Sequence, residues 1–380
     1  MSKYCIMPFA SIRIEDAVNI ESTRIKPCCH FKDNTVFDSL DHYLESSVLS
    51  ELQEHLLTQD TLPAGCGYCA EVESKNQLSV RQLRNKYFKD TIQPRTQIQY
   101  LDIFPSNVCN LNCIMCLPKF SSSIAAEQKI LGNVTEIYNF DETDFVIDII
   151  NKINDLKSIS IAGGEFFYAK HSLKILKAIQ QSNITDVKIT TNATVCDDRH
   201  IAILKTFKNL ELRFSIDGTG STYEFIRYPA DWSLVQSNIL KFQQQLPDAH
   251  LETLNVFQPL NVFDQFNWIT WANTHNLETH SQVVQGEMGW QALTQKEKEI
   301  AIDFLMTNYK NFELSSKQKL TILNYACNGI PKYEFNPKYR SQFVKKIIQL
   351  SNHRKLPVQM VANPFKNWPD LQQLIVSQLI

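Results

Sequence analysis

The rhythm of apolar and polar positions changes near residue 97. From there on, short runs rich in β-branched and aromatic residues alternate with longer stretches of helical period, as a parallel βα architecture requires. Six strands are predicted, at IQYLDIF (98–104), SISIAG (158–163), VKITTNA (187–193), LELRFSID (210–217), LETLNVFQ (251–258) and HSQVV (280–284). The segments between them are long enough for crossover helices. One of these, DETDFVIDIINKIND (141–155), opens with acidic residues, which suit the positive end of a helix. After about 290 the period is helical. Residues 1–75 are loop-rich, with helical periodicity near 38–58, and hold five of the ten cysteines. SVRQLRNKYFKD (79–90) reads as a basic helix or linker with a solvated face. The expectation is an α/β protein: a small cysteine-rich unit (1–75), a basic linker helix (76–97), a partial (β/α)6 TIM-like barrel (98–290) and a helical extension (291–380).

Composition narrows the partners. A chain of 380 residues that is 43% hydrophobic can bury a large core, and 38 basic against 40 acidic residues leave a net charge of −2. That balance gives no bulk attraction for nucleic acid or an anionic membrane, so binding must come from local sites. The opening MSKYCIMPFASIRIED is broken early by Arg13, Glu15 and Asp16, and no stretch reaches about 18 apolar residues. A cytoplasmic location is expected. In a reducing compartment clustered cysteines read as metal ligands or redox groups rather than disulfides.

The densest cluster is SNVCNLNCIMCLPKF, residues 106–120, which places Cys109, Cys113 and Cys116 within eight residues. Soft thiolates select zinc, copper(I) or iron-sulfur clusters. A structural zinc site is closed by four ligands, and nothing adjacent supplies the fourth. A 4Fe-4S cluster on three cysteines keeps one iron open for an exogenous ligand, as catalysis by a metal requires. The triplet also follows the first predicted strand, on the catalytic face of a βα barrel. The Cys-x3-Cys-x2-Cys spacing resembles the radical S-adenosylmethionine superfamily, with Met115 where an aromatic residue usually precedes the third cysteine. The resemblance implies that a cluster on Cys109, Cys113 and Cys116 binds S-adenosylmethionine and cleaves it to a 5'-deoxyadenosyl radical that abstracts hydrogen from a substrate.

Further motifs extend the resemblance over about 98–285. AGGEFF resembles the family's Gly-Gly-Glu-Pro after the second strand, with Phe166 in place of proline, so Gly163, Gly164 and Glu165 are expected at the methionine ammonium. TTNAT resembles the Thr-Asn-Gly of the third strand and makes Asn192 a cofactor contact. FSIDGTGSTYEFIR resembles the fourth-strand Ser-x-Asp-Gly region: Ser215 and Asp217 would meet ribose or carboxylate, and Arg227 would hold the methionine carboxylate.

A second cysteine set precedes the barrel: Cys5, the pair Cys28 and Cys29, and Cys66 with Cys69. By spacing alone zinc and a 4Fe-4S cluster fit equally. The order Cys-x-x-Pro, Pro-Cys-Cys, Cys-x-x-Cys resembles the auxiliary-cluster unit of SPASM and twitch enzymes, which usually follows the barrel. It implies a second 4Fe-4S cluster on Cys5, Cys28, Cys66 and Cys69, with Cys29 as the alternative to Cys28. His30 reads as an exposed loop histidine, and Cys196 and Cys327 as buried apolar thiols. The resemblance further implies a peptide or protein substrate and an electron donor such as flavodoxin or ferredoxin. A small-molecule or tRNA substrate, or a noncatalytic iron-sulfur or zinc scaffold, are the alternatives. The basic, aromatic segment 332–356 reads as a solvated helix, or as a dock for an acidic peptide or RNA.

Overall fold

The structure, a computed structural model, describes residues 3–15, 25–33, 35, 37, 39–88, 97–134, 140–284 and 286–379. Residues 89–96 of the expected linker lie outside them. Eight strands form one sheet in the order β2-β1-β3-β4-β5-β6-β7-β8. The last six are the predicted ones: β3 Tyr100–Ile103, β4 Ser158–Ile161, β5 Asp186–Thr191, β6 Asn209–Ser215, β7 His250–Phe257 and β8 Glu278–Val283. All six run parallel, with helices in the crossovers, as in a partial TIM-like barrel. Two strands come from the amino-terminal region. β1 (Ser11–Ile14) extends the sheet in parallel, Ser11 opposite Tyr100 and Ile14 opposite Ile103, and β2 (Ile25–Lys26) caps that edge antiparallel.

Alternation along the strands separates two faces. On β6, Leu210, Leu212 and Phe214 point under the covering helices, while Glu211 and Arg213 face the other way. That second face is polar and satisfied by cross-strand pairs: Arg13 with Asp102, Lys188 with Glu211, and Arg213 with Glu252. His280 reaches the same Glu252 at 2.8 Å. A barrel whose inner face carries its own counter-ions leaves the loops at the strand ends free to hold a site.

The amino-terminal region has a core of its own, in which Cys5, Ile6, Met7, Phe31, Leu52, Leu56 and Phe88 pack on Tyr100 of β3. Helix Val80–Tyr87 begins with a capping box between Ser79 and Gln82. It is not the solvated basic helix expected. Arg81 is buried, donates through Nε and Nη2 to Glu73 at 2.9 Å each, and donates through Nη1 to the Tyr4 carbonyl at 2.6 Å. Asn85 accepts from the Ile6 N–H and donates to the same carbonyl.

The carboxy-terminal helices bury Trp290, Leu305, Phe343, Ile347, Phe365, Trp368 and Leu371 in the same continuous core as the barrel. The Trp368 indole donates to the Glu297 carbonyl at 2.9 Å. Helix Pro337–His353 is thus amphipathic, with Phe343, Ile347 and Leu350 inward, rather than a fully solvated basic segment. Among the described residues no helix is long and apolar enough to cross a membrane.

Candidate active site

Three serines immediately after the cysteine motif begin helix Ser122–Ile130 and organise the loop before it. Ser121 caps that helix and donates its hydroxyl to the Leu111 carbonyl. Ser122 Oγ accepts the Cys109 N–H at 3.2 Å, and Ser123 donates to the Cys109 carbonyl at 2.5 Å. From the opposite side, Asn112 and Ile114 donate their N–H groups to the carbonyls of Tyr228 and Ile226, at 2.6 and 2.8 Å. Leu111 donates its N–H to Cys109 Sγ. A loop with this many anchors holds its three thiols in place before any ligand arrives.

The strand-end motifs converge on that loop. Gly163 and Gly164 have φ of +89° and +51°, and a Cβ on Gly164 would lie 2.4 Å from the Val108 carbonyl oxygen. Close approach of the two loops therefore requires glycine there. Glu165 accepts from Thr191 Oγ1, from the Asn192 N–H and from the Phe167 N–H. Burial pushes its pKa up against those three donors, which favour the carboxylate. Asn192 donates to Asn110 at 3.0 Å, and Asn110 donates to Thr194, so β5 and the cysteine loop share one network.

Arg227 and Asp217 differ from expectation in one respect. Both are buried, and they form an ion pair at 2.7 Å, with Asp217 also accepting the Val256 N–H. Asp217 is fully enclosed as the counter-ion of Arg227, away from the cavity wall, so a ribose contact does not follow from its position. Arg227 does line the cavity. Its Nη1 lies 3.8 Å from Cys113 Sγ, and its buried Nε makes no hydrogen bond.

These groups line one cavity of about 980 Å³: Cys109, Cys113, Cys116, Gly163, Gly164, Glu165, Asn192, Ser215 and Arg227. Leu111, Met115, Thr190 and Val283 add to the barrel side of its wall, and both ends of the chain reach it. His30 and Tyr68 enter from the amino-terminal region, stacked 4.0 Å apart, and Lys332 with Tyr333 from the carboxy-terminal helices. His30, expected to be an exposed loop residue, is half-buried in that stack, and burial, then Arg13, lowers its pKa.

The thiols are all free. Burial, then the neighbouring Cys113, pushes Cys109 and Cys116 up to about 12. In the amino-terminal set, burial raises Cys28 to about 11 and Cys66 to about 12, and Cys5 further; Cys28, Cys66 and Cys69 each add to the effect on Cys5. Cys29 is exposed; burial raises it, Arg13 opposes that and Asp102 adds to it, and Cys29 in turn raises its neighbour Cys28. Both sets suit a soft cationic group that takes thiolates. Among the described residues no three His, Cys, Asp or Glu side chains converge on the point a single ion would occupy. Cys196 is half-buried, and Cys327 is exposed on a π-helical turn, contrary to the buried thiol expected.

The sheet is a partial barrel in which a three-thiol loop after the first barrel strand and glycine, asparagine and arginine motifs on the next three meet at one cavity. Residues 103–258 match the model of the Radical SAM superfamily. The GTP 3',8-cyclase of Desulforamulus reducens is 28% identical over 121 residues, 32% of this chain and 34% of that protein, so the match spans about a third of the relative's length. Among solved structures, anSMEcpe with bound AdoMet aligns at a TM-score of 0.41 and 17% identity, covering 56% of this chain and 62% of that one. Streptococcus suis SuiB bound to precursor peptide SuiA aligns at 0.40 and 16%, covering 80% and 64%.

Proposed function

We propose that this protein is a radical S-adenosylmethionine enzyme that acts on a peptide or protein side chain. Cys109, Cys113 and Cys116 would hold a 4Fe-4S cluster, and Cys5, Cys28, Cys66 and Cys69 an auxiliary one. Such a cluster, with S-adenosylmethionine bound, would supply the electron for cleaving the sulfonium to a 5'-deoxyadenosyl radical. The observation that carries this reading is the single cavity in which the three thiols meet the strand-end motifs.

The roles follow from position. Gly163 and Gly164 let the backbone come close, and Glu165 offers negative charge to the methionine ammonium. The unpartnered Nε–H of Arg227 is a donor to spare for the carboxylate. Asn192 and Ser215 complete the polar wall, while the His30–Tyr68 stack and Tyr333 exclude water from the far side. The cavity lies at the upper end of the range for a small-ligand site, enough for the cofactor plus one side chain of a larger substrate. A second reading, a nucleotide-like small molecule, is favoured by the match to the GTP 3',8-cyclase.

Anaerobically reconstituted protein with dithionite should release 5'-deoxyadenosine and methionine slowly without substrate, and Cys113→Ala should release none. Cofactor binding without cleavage in the wild type would rule out the radical mechanism. Turnover of GTP but of no peptide would select the second reading.

A further inference from the structure

The carboxy-terminal extension reaches the cysteine loop through Arg354. Arg354 closes helix Pro337–His353, and its side chain is almost completely buried, as is that of Glu127 on helix Ser122–Ile130. Its Nε and Nη2 donate to the two carboxylate oxygens of Glu127, each at 2.7 Å, a planar fork that only arginine supplies. The same Nη2 donates to the carbonyl of Asn112 at 2.7 Å, inside the Cys-x3-Cys stretch. The guanidinium lies 4.9 Å from the centroid of the Tyr228 ring, and it is the Tyr228 carbonyl that accepts the Asn112 N–H. Arg354 is also among the charges felt at Cys113.

We propose that Arg354 is a positioning residue for the Cys109–Cys116 loop, so that the carboxy-terminal extension sets the geometry of the thiols rather than merely covering the barrel. Both backbone polar groups of Asn112 are then engaged: its N–H, in the Leu111–Asn112 peptide, by Tyr228, and its carbonyl, in the Asn112–Cys113 peptide, by Arg354. With the preceding peptide held by Tyr228, the Asn112–Cys113 peptide, which leads directly into Cys113, cannot flip without breaking its charge-assisted bond to Arg354. Removing a group that orients ligands from behind weakens metal sites without touching the ligands themselves.

The inference rests on the cluster reading only for its iron measurement, so two variants are compared in two states. Arg354→Lys keeps the charge beside Glu127 but loses the fork. The double variant R354Q/E127Q removes both charges together, which avoids leaving Glu127 buried and unpaired. In the protein before reconstitution, amide exchange of Asn112 and Ile114 should rise about tenfold with little change in the barrel strands. After reconstitution, iron should be lost to a chelator about 10- to 100-fold faster, with a changed electron paramagnetic resonance signal of the reduced cluster. Wild-type exchange and iron retention in a folded variant would overturn the proposal. So would exchange raised uniformly along the chain, because Arg354 would then serve the whole fold. A wild type that takes up no iron-sulfur cluster would instead overturn the cluster reading, with the exchange result still deciding the role of Arg354.

Discussion

Glycine 164 is required by geometry. Its φ of +51° costs an L-residue about 1–2 kcal/mol, and the added Cβ would also meet the Val108 carbonyl at 2.4 Å. Gly132 has φ of +72° but nothing within 4 Å of a built Cβ. Gly132→Ala should therefore show the backbone cost alone in thermal melts, while Gly164→Ala should cost more and also lower iron content by displacing the cysteine loop. An equal loss for both would show that the two loops have room between them. Ala193 adopts φ of +58° with its methyl fully buried. At the same scale, Ser172, His200 and Asp197 line up at 2.7 and 2.8 Å like a nucleophile, base and orienting acid. Ser172 and His200 are buried, His200 packs edge-on to Phe167, and the group ties the loop after Glu165 to the helix that follows β5.

Among the elements, the pair of helices Gly67–Ser74 and Val80–Tyr87 depends on one ionised carboxylate. Burial opposes the charge on Glu73, but hydrogen bonds from Arg81, Ser79 and Lys3 outweigh it, and its pKa lies below the ordinary value. A depressed folded-state pKa contributes stability that is complete above the unfolded value of about 4.3 and is lost as pH falls through the folded one. Acid titration below about pH 4 should therefore release the amino-terminal helices. Amide exchange near Ile6, whose N–H is held by Asn85, reports this release, and Glu73→Gln should remove the pH dependence while lowering stability throughout. If the Ile6 amide is insensitive to pH over that range, Glu73 does not hold the pair.

For the whole molecule, the extension after residue 290 shares its core with the barrel. A chain ending at 290 would expose the apolar surface that Leu305, Phe343, Phe365 and Trp368 now cover. At about 1.5–3 kcal/mol for each large side chain, the loss approaches the 5–15 kcal/mol that holds an ordinary domain. The truncated chain should bind a hydrophobic dye and lose its cooperative melt; a sharp transition would show that the barrel folds alone. Reconstituted full-length protein should hold about eight irons, halved by replacing Cys109, Cys113 and Cys116 together with alanine. About four irons with copurifying zinc would remove the auxiliary cluster.

What the amino-acid sequence determined by itself is local: the six barrel strands, the Cys-x3-Cys-x2-Cys loop and the glycine motifs at strand ends. Each of these is written in neighbouring residues, by alternation of period two, by fixed spacing, or by a backbone only glycine tolerates. The tertiary structure alone decided which partners meet across long separations. SIRI is too short a run to announce itself as a strand, and it becomes one because Ile12 and Ile14 fill the edge beside β3 while Arg13 finds Asp102. Asp217 carries a motif expected at the cofactor, yet the fold encloses it with Arg227. Basic residues at 81 and 354 read as solvated charge, because nothing near them in sequence foretells Glu73 and the Tyr4 carbonyl, or Glu127 and the Asn112 carbonyl. A buried cation is stable only where a counter-charge and acceptors replace its lost water, and those groups come together only when the chain has folded.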